Sequence, residues 1–266
     1  DAVNSYQIER SLDNVSWSVL TNTGTTSVTY TDTGLNTPQT YYYRVSATSG
    51  YGTGAASNMA SAIASDVPDQ VTGLTGTALP SAEIKLDWTT PANNGYQISG
   101  YLIERSTDGG ATWGTLVADT QSQAITYTDT ALTIGNTYNY RVAAINAVGT
   151  GTVSSDVAVV AGDIPSQVTL VVTAQPSSII ELTWTAPASN GYALTGYAIE
   201  RSTDGTNWSP LTTAVASAVS YTDSGLTNGD TYYYRITAIN AIGNSLWSAA
   251  QSAIAGDVRD QVTGLT

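Results

Sequence analysis

Short stretches in which apolar and polar residues alternate recur along the chain, and this pattern is typical of half-buried β-strands. In the middle of the sequence the alternation covers residues 84–88, 101–105 and 138–142, and shorter stretches lie at 113–117, 125–128 and 153–160. An Asp-Gly turn signal at residues 108–109 separates two of them. No helical period persists over a useful length. Roughly seven short strands joined by turns predict an antiparallel β-sandwich.

The same pattern returns with a period of about 95 residues, which indicates tandem modules. Ile-Glu-Arg-Ser stands at residues 8–11, 103–106 and 199–202. Tyr-Thr-Asp follows at 30–32, 127–129 and 221–223. Tyr-x-Tyr-Arg, followed by Val or Ile, stands at 41–45, 138–142 and 232–236. A residue that occurs three times at one place in a module is expected to serve the module rather than a unique catalytic centre.

Module starts at Asp66, Asp163 and Asp257 divide the chain. They predict a partial module at 1–65 without its first two strands, complete modules at 66–162 and 163–256, and the first strand of a further module at 257–266. The linkers are short and lack the Gly/Ser character of a flexible tether. Pro68 and Pro165 restrict φ there. We therefore expect a rod of modules with limited bending.

The partial first module raises a specific expectation. When Tyr6 is aligned with Tyr101, and Asp257 with Asp66, residues 76–95 have no counterpart around the first module. That module would expose its core and unpaired strand edges. Two alternatives remain open: upstream chain completes the module, or a strand from another subunit does so.

Composition narrows the functional classes. The net charge is −13 with 11% charged residues, and Lys85 is the single lysine. Such a chain is a poor partner for nucleic acid or an anionic membrane, and no apolar run is long enough to cross a bilayer. Cysteine and histidine are absent, and no nucleophile–base pair is visible, so we expect no enzymatic activity. A surface rich in uncharged hydroxyls suggests an extracellular or cell-surface protein.

Several sequence features that occur together in the modules resemble those of fibronectin type III domains. A leucine precedes a tyrosine by six residues in each module, at Leu35/Tyr41, Leu132/Tyr138 and Leu226/Tyr232. The strand residues Trp88 and Trp184, and the bends at 144–149 and 238–243, also match that family, whereas residues 47–52 of the first module depart from it. The resemblance implies tandem seven-stranded immunoglobulin-like β-sandwiches, all-β in class, arranged as a rod. It also implies a tyrosine corner, in which each Tyr hydroxyl bonds to upstream backbone, and buried tryptophans at 88 and 184.

Two recurring side-chain sets are candidates for packing or binding. Glu104 and Arg141 both point outward on strands that should pair, which predicts a cross-strand ion pair. A row of tryptophans follows the Asp/Gly turns, at Trp17, Trp113 and Trp208. Trp247 is the one tryptophan that is not repeated between modules. The row would cover a sheet face and stack on arginine, or alternatively stack on a sugar ligand. Trp247 is a candidate interface residue.

No cofactor is expected, although acids cluster near the linkers. Their carboxylates would be solvated turn groups, or alternatively oxygen ligands for calcium between modules. These acids are Asp66, Asp69, Asp163, Asp257 and Asp260. Asn14 and Asn207 stand in Asn-x-Ser motifs and are candidate N-glycosylation sites.

The sequence therefore favours a structural or adhesive extracellular protein, such as a stalk, fibre or filament shaft. Its expected partners are further modules of the same long chain or other copies of itself. Two alternatives remain: an array that binds a cell-surface protein or glycan, and the accessory spacer of a large secreted enzyme.

Overall fold

The computed structural model describes residues 2–256, and every regular element in that range is a β-strand. The strands form antiparallel sheets in three successive units. We call them module 1 (residues 2–65), module 2 (66–162) and module 3 (163–256). Within the described range, no helix has the length and apolar character needed to span a bilayer.

Module 1 consists of a single sheet. Its strands are β1 (Ser5–Ser11), β2 (Ser18–Asn22), β3 (Gln39–Ser49), β4 (Gly52–Thr53) and β5 (Ala60–Ala64). β1 lies between β2 and β3, and β3 also pairs with β4 and β5. Among the described residues, no second sheet covers the inner face of this one.

Module 2 is a sandwich of two sheets. Its strands are β6 (Thr72–Leu79), β7 (Glu83–Thr89), β8 (Gly100–Ser106), β9 (Gly114–Val117), β10 (Thr126–Asp129), β11 (Thr137–Ile145) and β12 (Val157–Val160). One sheet has the order β10-β7-β6 and the other the order β12-β11-β8-β9. These seven strands make the expected immunoglobulin-like architecture.

Module 3 repeats the arrangement. Its strands are β13 (Thr169–Gln175), β14 (Ile179–Thr185), β15 (Gly196–Ser202), β16 (Ser209–Val215), β17 (Ser220–Asp223), β18 (Thr231–Ile239) and β19 (Gln251–Ile254). The sheets have the orders β13-β14-β17 and β16-β15-β18-β19. The predicted fold class, tandem seven-stranded sandwiches, is confirmed by both complete modules.

The alternation seen in the sequence builds the core between the sheets. In module 2, Ile84 and Leu86 of β7 are fully buried, as are Ile103 of β8 and Tyr140 and Val142 of β11. Because successive side chains of a strand point to opposite faces, these alternate residues all point into the space between the two sheets. Burial of each large apolar side chain contributes roughly 1.5–3 kcal/mol, so the alternating positions supply much of the free energy of folding.

Two local predictions in module 2 are wrong. Residues 153–160 were expected to form one strand, but the strand covers only Val157–Val160. Ser154 lies before this strand and contacts Val142 in two ways. Its backbone N–H donates to the Val142 carbonyl at 2.8 Å, and its Oγ accepts a 3.0 Å hydrogen bond from the Val142 backbone N–H. The alternation at 138–142 places Asn139 on the face opposite Tyr138 and Tyr140, which predicts an exposed side chain. The structure shows it buried, with its Nδ2 donating to Oδ2 of Asp156 at 2.8 Å.

Candidate functional site

The predicted ion pair between Glu104 and Arg141 is confirmed, and it forms part of a stacked column. The two residues are direct cross-strand partners, and Nε of Arg141 lies 2.6 Å from Oε2 of Glu104. The Arg141 guanidinium lies over the Trp113 ring, 4.3 Å from its centre. Modules 1 and 3 repeat this column with Arg44 over Trp17 at 4.4 Å and Arg235 over Trp208 at 4.5 Å. One face of each tryptophan is thus occupied by an arginine of its own sheet.

Trp247 extends the column in module 3. Its ring centre lies 4.6 Å from the Arg235 guanidinium, which is therefore contacted by two tryptophans. The backbone carbonyl of Trp247 also accepts a hydrogen bond from Nε2 of Gln167 at 2.5 Å. These contacts place Trp247 within module 3, and its role as an interface residue stays a prediction.

A second arginine joins the two sheets of modules 2 and 3 through a buried carboxylate. In module 2, Nη1 of Arg105 donates to Oδ2 of Asp129 at 2.9 Å, and the Tyr140 hydroxyl donates to the same oxygen at 2.8 Å. Asp129 is buried, and Tyr140 is fully buried. Burial, assisted by the hydrogen bond to Asp129, raises the pKa of the Tyr140 hydroxyl far above its ordinary value. Both partners of this carboxylate belong to the opposite sheet of module 2, so Asp129 connects the two sheets.

The expected corner tyrosines each have an upstream backbone partner. The Tyr138 hydroxyl accepts a hydrogen bond from the Thr133 backbone N–H at 3.1 Å. Tyr232 accepts one from Thr227 at 3.1 Å, and Tyr41 accepts one from Asn36 at 3.0 Å. Leu132 and Leu226 are buried in their modules, whereas Leu35 lines an open groove in module 1. Each hydrogen bond ties the loop before β3, β11 or β18 to that strand.

The two strand tryptophans lie in the cores of modules 2 and 3. Trp88 packs edge-on against Tyr101, with ring centres 5.0 Å apart, and Trp184 packs against Tyr197 at 5.3 Å. Nε1 of each tryptophan and the hydroxyl of each tyrosine are buried with no hydrogen-bond partner among the described residues. These pairs therefore act by apolar packing.

The linker acids Asp66, Asp69 and Asp163 accept hydrogen bonds in the structure. Oδ1 of Asp69 accepts from the Asn94 side chain, and Oδ1 of Asp163 accepts from the Ser81 backbone at 2.9 Å. No group of three potential metal ligands forms within residues 2–256. Asp257 and Asp260 lie outside the described residues, and calcium binding stays a prediction.

The two candidate glycosylation sites occupy equivalent exposed turns, Asn14 between β1 and β2 and Asn207 between β15 and β16. Nδ2 of Asn207 donates to Oδ2 of Asp204 at 2.7 Å. Asn14 adopts a positive φ of 58°. Their modification stays a prediction.

A hydrogen-bonded cluster at each module junction holds the preceding linker. At the second junction, Nδ2 of Asn240 donates to the backbone carbonyls of Asp163 at 2.8 Å and Ser189 at 3.0 Å. Nδ2 of Asn190 donates to the carbonyl of Ile164 at 2.7 Å. One asparagine from the bend before β19 and one from the loop after β14 thus hold two consecutive linker residues. We call this arrangement the linker clamp.

The first junction has the same linker clamp. Nδ2 of Asn146 donates to the carbonyls of Asp66 at 2.8 Å and Asn93 at 2.9 Å, and Nδ2 of Asn94 donates to Val67 at 2.9 Å. Oδ1 of Asn146 accepts the backbone N–H groups of the bend, which fixes the orientation of its amide. Charge-free hydrogen bonds of this kind contribute roughly 0.5–1.5 kcal/mol each.

At the second junction, close packing adds to the clamp. The Tyr192 hydroxyl donates to the Val160 carbonyl of module 2 at 2.9 Å. A Cβ on Gly162 would lie 2.6 Å from the Tyr192 ring, and one on Gly191 would lie 2.9 Å from the Ala161 carbonyl oxygen. Gly191 also has a φ of 91°, which favours glycine. Modules 2 and 3 are therefore in direct contact.

Sequence reasoning missed the loop that supplies half of each clamp. Asn-Gly-Tyr stands at residues 94–96 and again at 190–192. Its repetition at one place in two modules was the available signal. The pattern has the appearance of an ordinary turn, and only the fold shows that it contacts the preceding linker.

Comparison with known proteins identifies the family of the chain. A family model for the fibronectin type III domain matches residues 69–160 and 163–253. The chain belongs to the fibronectin type III family. A solved structure of chicken CNTN1 FN1-FN3 domains matches with a TM-score of 0.49 and 18% identity, covering 96% of this chain and 89% of that one.

The chain is also similar to segments of much longer proteins. It is 29% identical over 259 residues to Exoglucanase B of Cellulomonas fimi, covering 90% of this chain and 22% of that protein. It is 27% identical over 189 residues to human Myomesin-2, covering 67% of this chain and 13% of that protein. For the striated-muscle M-protein of Gallus gallus the identity is 26% over 198 residues, with 71% and 13% covered. The chain spans less than a quarter of the length of these relatives.

Proposed function

We propose that this fibronectin type III array is a non-catalytic spacer that holds its neighbours at a fixed separation and orientation. The observation that carries the proposal is the junction of modules 2 and 3, where the Tyr192 hydroxyl donates to the Val160 carbonyl of the preceding module and the linker clamp of Asn240 holds the linker residue Asp163. A flexible tether needs no such contacts, because its function depends on free rotation between domains.

The side chains of the modules support a structural role over a catalytic one. The recurring arginines, glutamates and aspartates are paired within their own modules, as at Arg141–Glu104 and Arg105–Asp129. The tryptophans that could stack on a ligand each carry an arginine on one face. Their equivalence across three modules is what a packing role requires.

The absence of cysteine in the sequence permits a direct test by spin labelling. Labels at Thr115→Cys in module 2 and Ser217→Cys in module 3, both exposed positions, report the distance between the modules through electron–electron coupling. The wild-type background should give one narrow distance distribution. Asn240→Ala should broaden it, because the Asp163 and Ser189 carbonyls lose their shared donor.

Asn244→Ala is the matched control, since Asn244 is exposed and its side chain makes no hydrogen bond among the described residues. This variant should leave the distribution narrow. A broad distribution in the wild-type background would show that the modules rotate freely, and the spacer proposal would then be abandoned.

A second candidate is a spacer within a secreted carbohydrate-degrading enzyme. It is favoured by the similarity to Exoglucanase B, which extends over 90% of this chain. In that role the array would separate a catalytic domain from other parts of the protein. Activity assays on the chain itself, with cellulose-derived substrates, should show no turnover, and a chain that hydrolyses them would contradict both candidates.

An extracellular or cell-surface location is part of the proposal, together with an adhesive or filament-forming role. The uncharged polar surface and the relative named as an exoglucanase support it. The similarity to muscle proteins supports the structural role without supporting that location. Further modules of this kind, or other copies of the chain, are the proposed neighbours.

A further inference from the structure

The residue that ends a module differs between the two junctions. Gly162 ends module 2, and Ser65 stands at the same place in module 1, each directly before the aspartate that begins the next module. Neither residue has a φ in the left-handed region, so the backbone at this place suits any amino acid. The space around the residue, rather than its backbone conformation, therefore decides which side chain fits.

Side chains of module 3 take up the space at Gly162. A Cβ on Gly162 would lie 2.6 Å from the Tyr192 ring and 2.9 Å from Cδ1 of Ile242. Because these distances mean overlap, a larger residue at 162 would displace the ring. The hydrogen bond from the Tyr192 hydroxyl to the Val160 carbonyl holds the ring in this place. Glycine at 162 thus permits the contact, which we call the tyrosine latch.

The loop that carries the tyrosine approaches both linkers in the same way. A Cβ on Gly191 would lie 3.2 Å from the Cα of Gly162. A Cβ on Gly95, the equivalent residue of module 2, would lie 3.3 Å from the Cα of Ser65. The position of the loop backbone is therefore shared, and a difference between the junctions must come from the side chains.

The tyrosines of the two loops are in different environments. Tyr192 is half-buried in its latch. Tyr96 stands at the same place in module 2, but it is 44% exposed and its hydroxyl makes no hydrogen bond among the described residues. The two residues of the preceding module that Tyr192 contacts have described counterparts at the first junction, Ile63 and Ser65. The side chain of Ser65 is the feature that sets this junction apart.

We propose that the residue at 65 and 162 determines whether a module docks tightly on its predecessor. Glycine admits the tyrosine ring of the following Asn-Gly-Tyr loop, and the latch closes. Serine places its side chain where the ring would lie, and the tyrosine turns to solvent. The joint between modules 2 and 3 is therefore stiff, whereas the joint between modules 1 and 2 bends more. This inference rests on the spacer function and deepens it, because it assigns a different stiffness to each joint.

Nitration of tyrosine by tetranitromethane, measured at each residue by mass spectrometry, reports whether a latch is closed. Cysteine is absent from the chain, so no thiol competes for the reagent. In the wild-type chain Tyr96 should react roughly fivefold faster than Tyr192, the factor that one hydrogen bond supplies. Tyr51, which is 91% exposed, is the reference for the activity of the reagent.

Reciprocal substitutions should exchange the two states. Gly162→Ser should raise the nitration rate of Tyr192 to about that of Tyr96 in the wild type. Ser65→Gly should lower the rate of Tyr96 to about that of Tyr192. Gly114→Ser is the matched control, since Gly114 is exposed in module 2 and a Cβ there would meet no atom closer than 3.7 Å. This variant should leave both rates unchanged, and amide exchange in each module checks that every variant is folded.

The spin-label pair in modules 2 and 3 gives a second readout, and Gly162→Ser should broaden its distance distribution. If Gly162→Ser left Tyr192 protected, or Ser65→Gly left Tyr96 reactive, the proposal would be overturned while a narrow wild-type distribution would still support the spacer function. A broad wild-type distribution together with the expected nitration pattern would have the opposite meaning. It would support the latch and overturn the spacer function.

Discussion

The Tyr140 hydroxyl donates a 2.8 Å hydrogen bond to Oδ2 of Asp129, and both residues are buried. Asp129 belongs to one sheet of module 2 and Tyr140 to the other, so the bond connects the two layers. Module 3 repeats it between Tyr234 and Asp223 at 2.8 Å. In module 1 the equivalent bond between Tyr43 and Asp32 forms without the second sheet, and burial with this bond raises the pKa of Tyr43 to about 12.

Replacement of Tyr140 by Phe should destabilise module 2 by roughly 1.5–3 kcal/mol, because a buried carboxylate loses a donor. Native-state hydrogen exchange of the whole chain measures this, with the amides of module 3 as an internal reference. Tyr101→Phe is the matched control. Its hydroxyl is buried without a partner among the described residues, so its removal should be neutral or slightly stabilising. Equal destabilisation by both variants would contradict the role of the hydrogen bond.

Replacement of Tyr138 by Phe tests the tyrosine corner. The Thr133 N–H would lose its acceptor, and module 2 should be destabilised by about 1 kcal/mol. Tyr127→Phe serves for comparison, since the Tyr127 side chain is half-buried and has no hydrogen bond among the described residues. The free energy of unfolding, obtained from exchange under increasing denaturant, should fall only in the Tyr138 variant. An unchanged value there would remove the corner as a stabilising feature.

Trp113→Ala should destabilise module 2 by about 1 kcal/mol through loss of its contact with the Arg141 guanidinium. Trp208→Ala should destabilise module 3 by less, because the Trp247 ring still lies at a similar distance from the Arg235 guanidinium. Native-state hydrogen exchange measures the destabilisation of each module and shows which of the two variants has the larger effect. If Trp113→Ala left stability unchanged and removed binding to a glycan, the tryptophans would be ligand residues rather than packing residues.

Acid should loosen the turn between β8 and β9. Hydrogen bonds from the side chain of Ser106, and from the hydroxyl and backbone of Thr112, lower the pKa of Asp108 from 3.8 to about 2. A lowered folded-state pKa means that this carboxylate stabilises the fold above about pH 4, and the contribution is lost as the pH falls toward 2. The carboxyl carbon shift of Asp108 should titrate near pH 2. In the Asp108→Asn variant, the melting temperature should not show the drop that this carboxylate causes between about pH 4 and pH 2. An Asp108 titration midpoint near pH 4 in the wild type would contradict the prediction.

The sequence predicted the repeating layers of the fold because each layer follows from local alternation. Ile84, Leu86 and Trp88 face the core as the period of two requires. Glu104 meets Arg141 because the strand register aligns them. Residues 29–32 show the limit of that reasoning. They repeat the letters of β10 without forming a strand, since a strand depends on a partner that the local sequence does not contain.

The clamp escaped prediction for a related reason. Asn146 and Asn94 are separated by about half a module in sequence and meet at the linker only after both sheets have formed. Side-chain amides on turns usually satisfy their own turn. Nothing in the composition of residues 93–96 distinguishes a loop that holds a linker from one that faces solvent.

Each linker clamp lies entirely within the module that follows its linker. Asn146 and Asn94 belong to the same unit as the carbonyls of Asp66 and Val67 that they hold, and module 3 is built in the same way. A duplicated gene segment encoding residues 66–162 would therefore include both the linker residues and the asparagines that hold them. The array can lengthen by whole units, with the geometry of each new joint inherited from the unit that was copied.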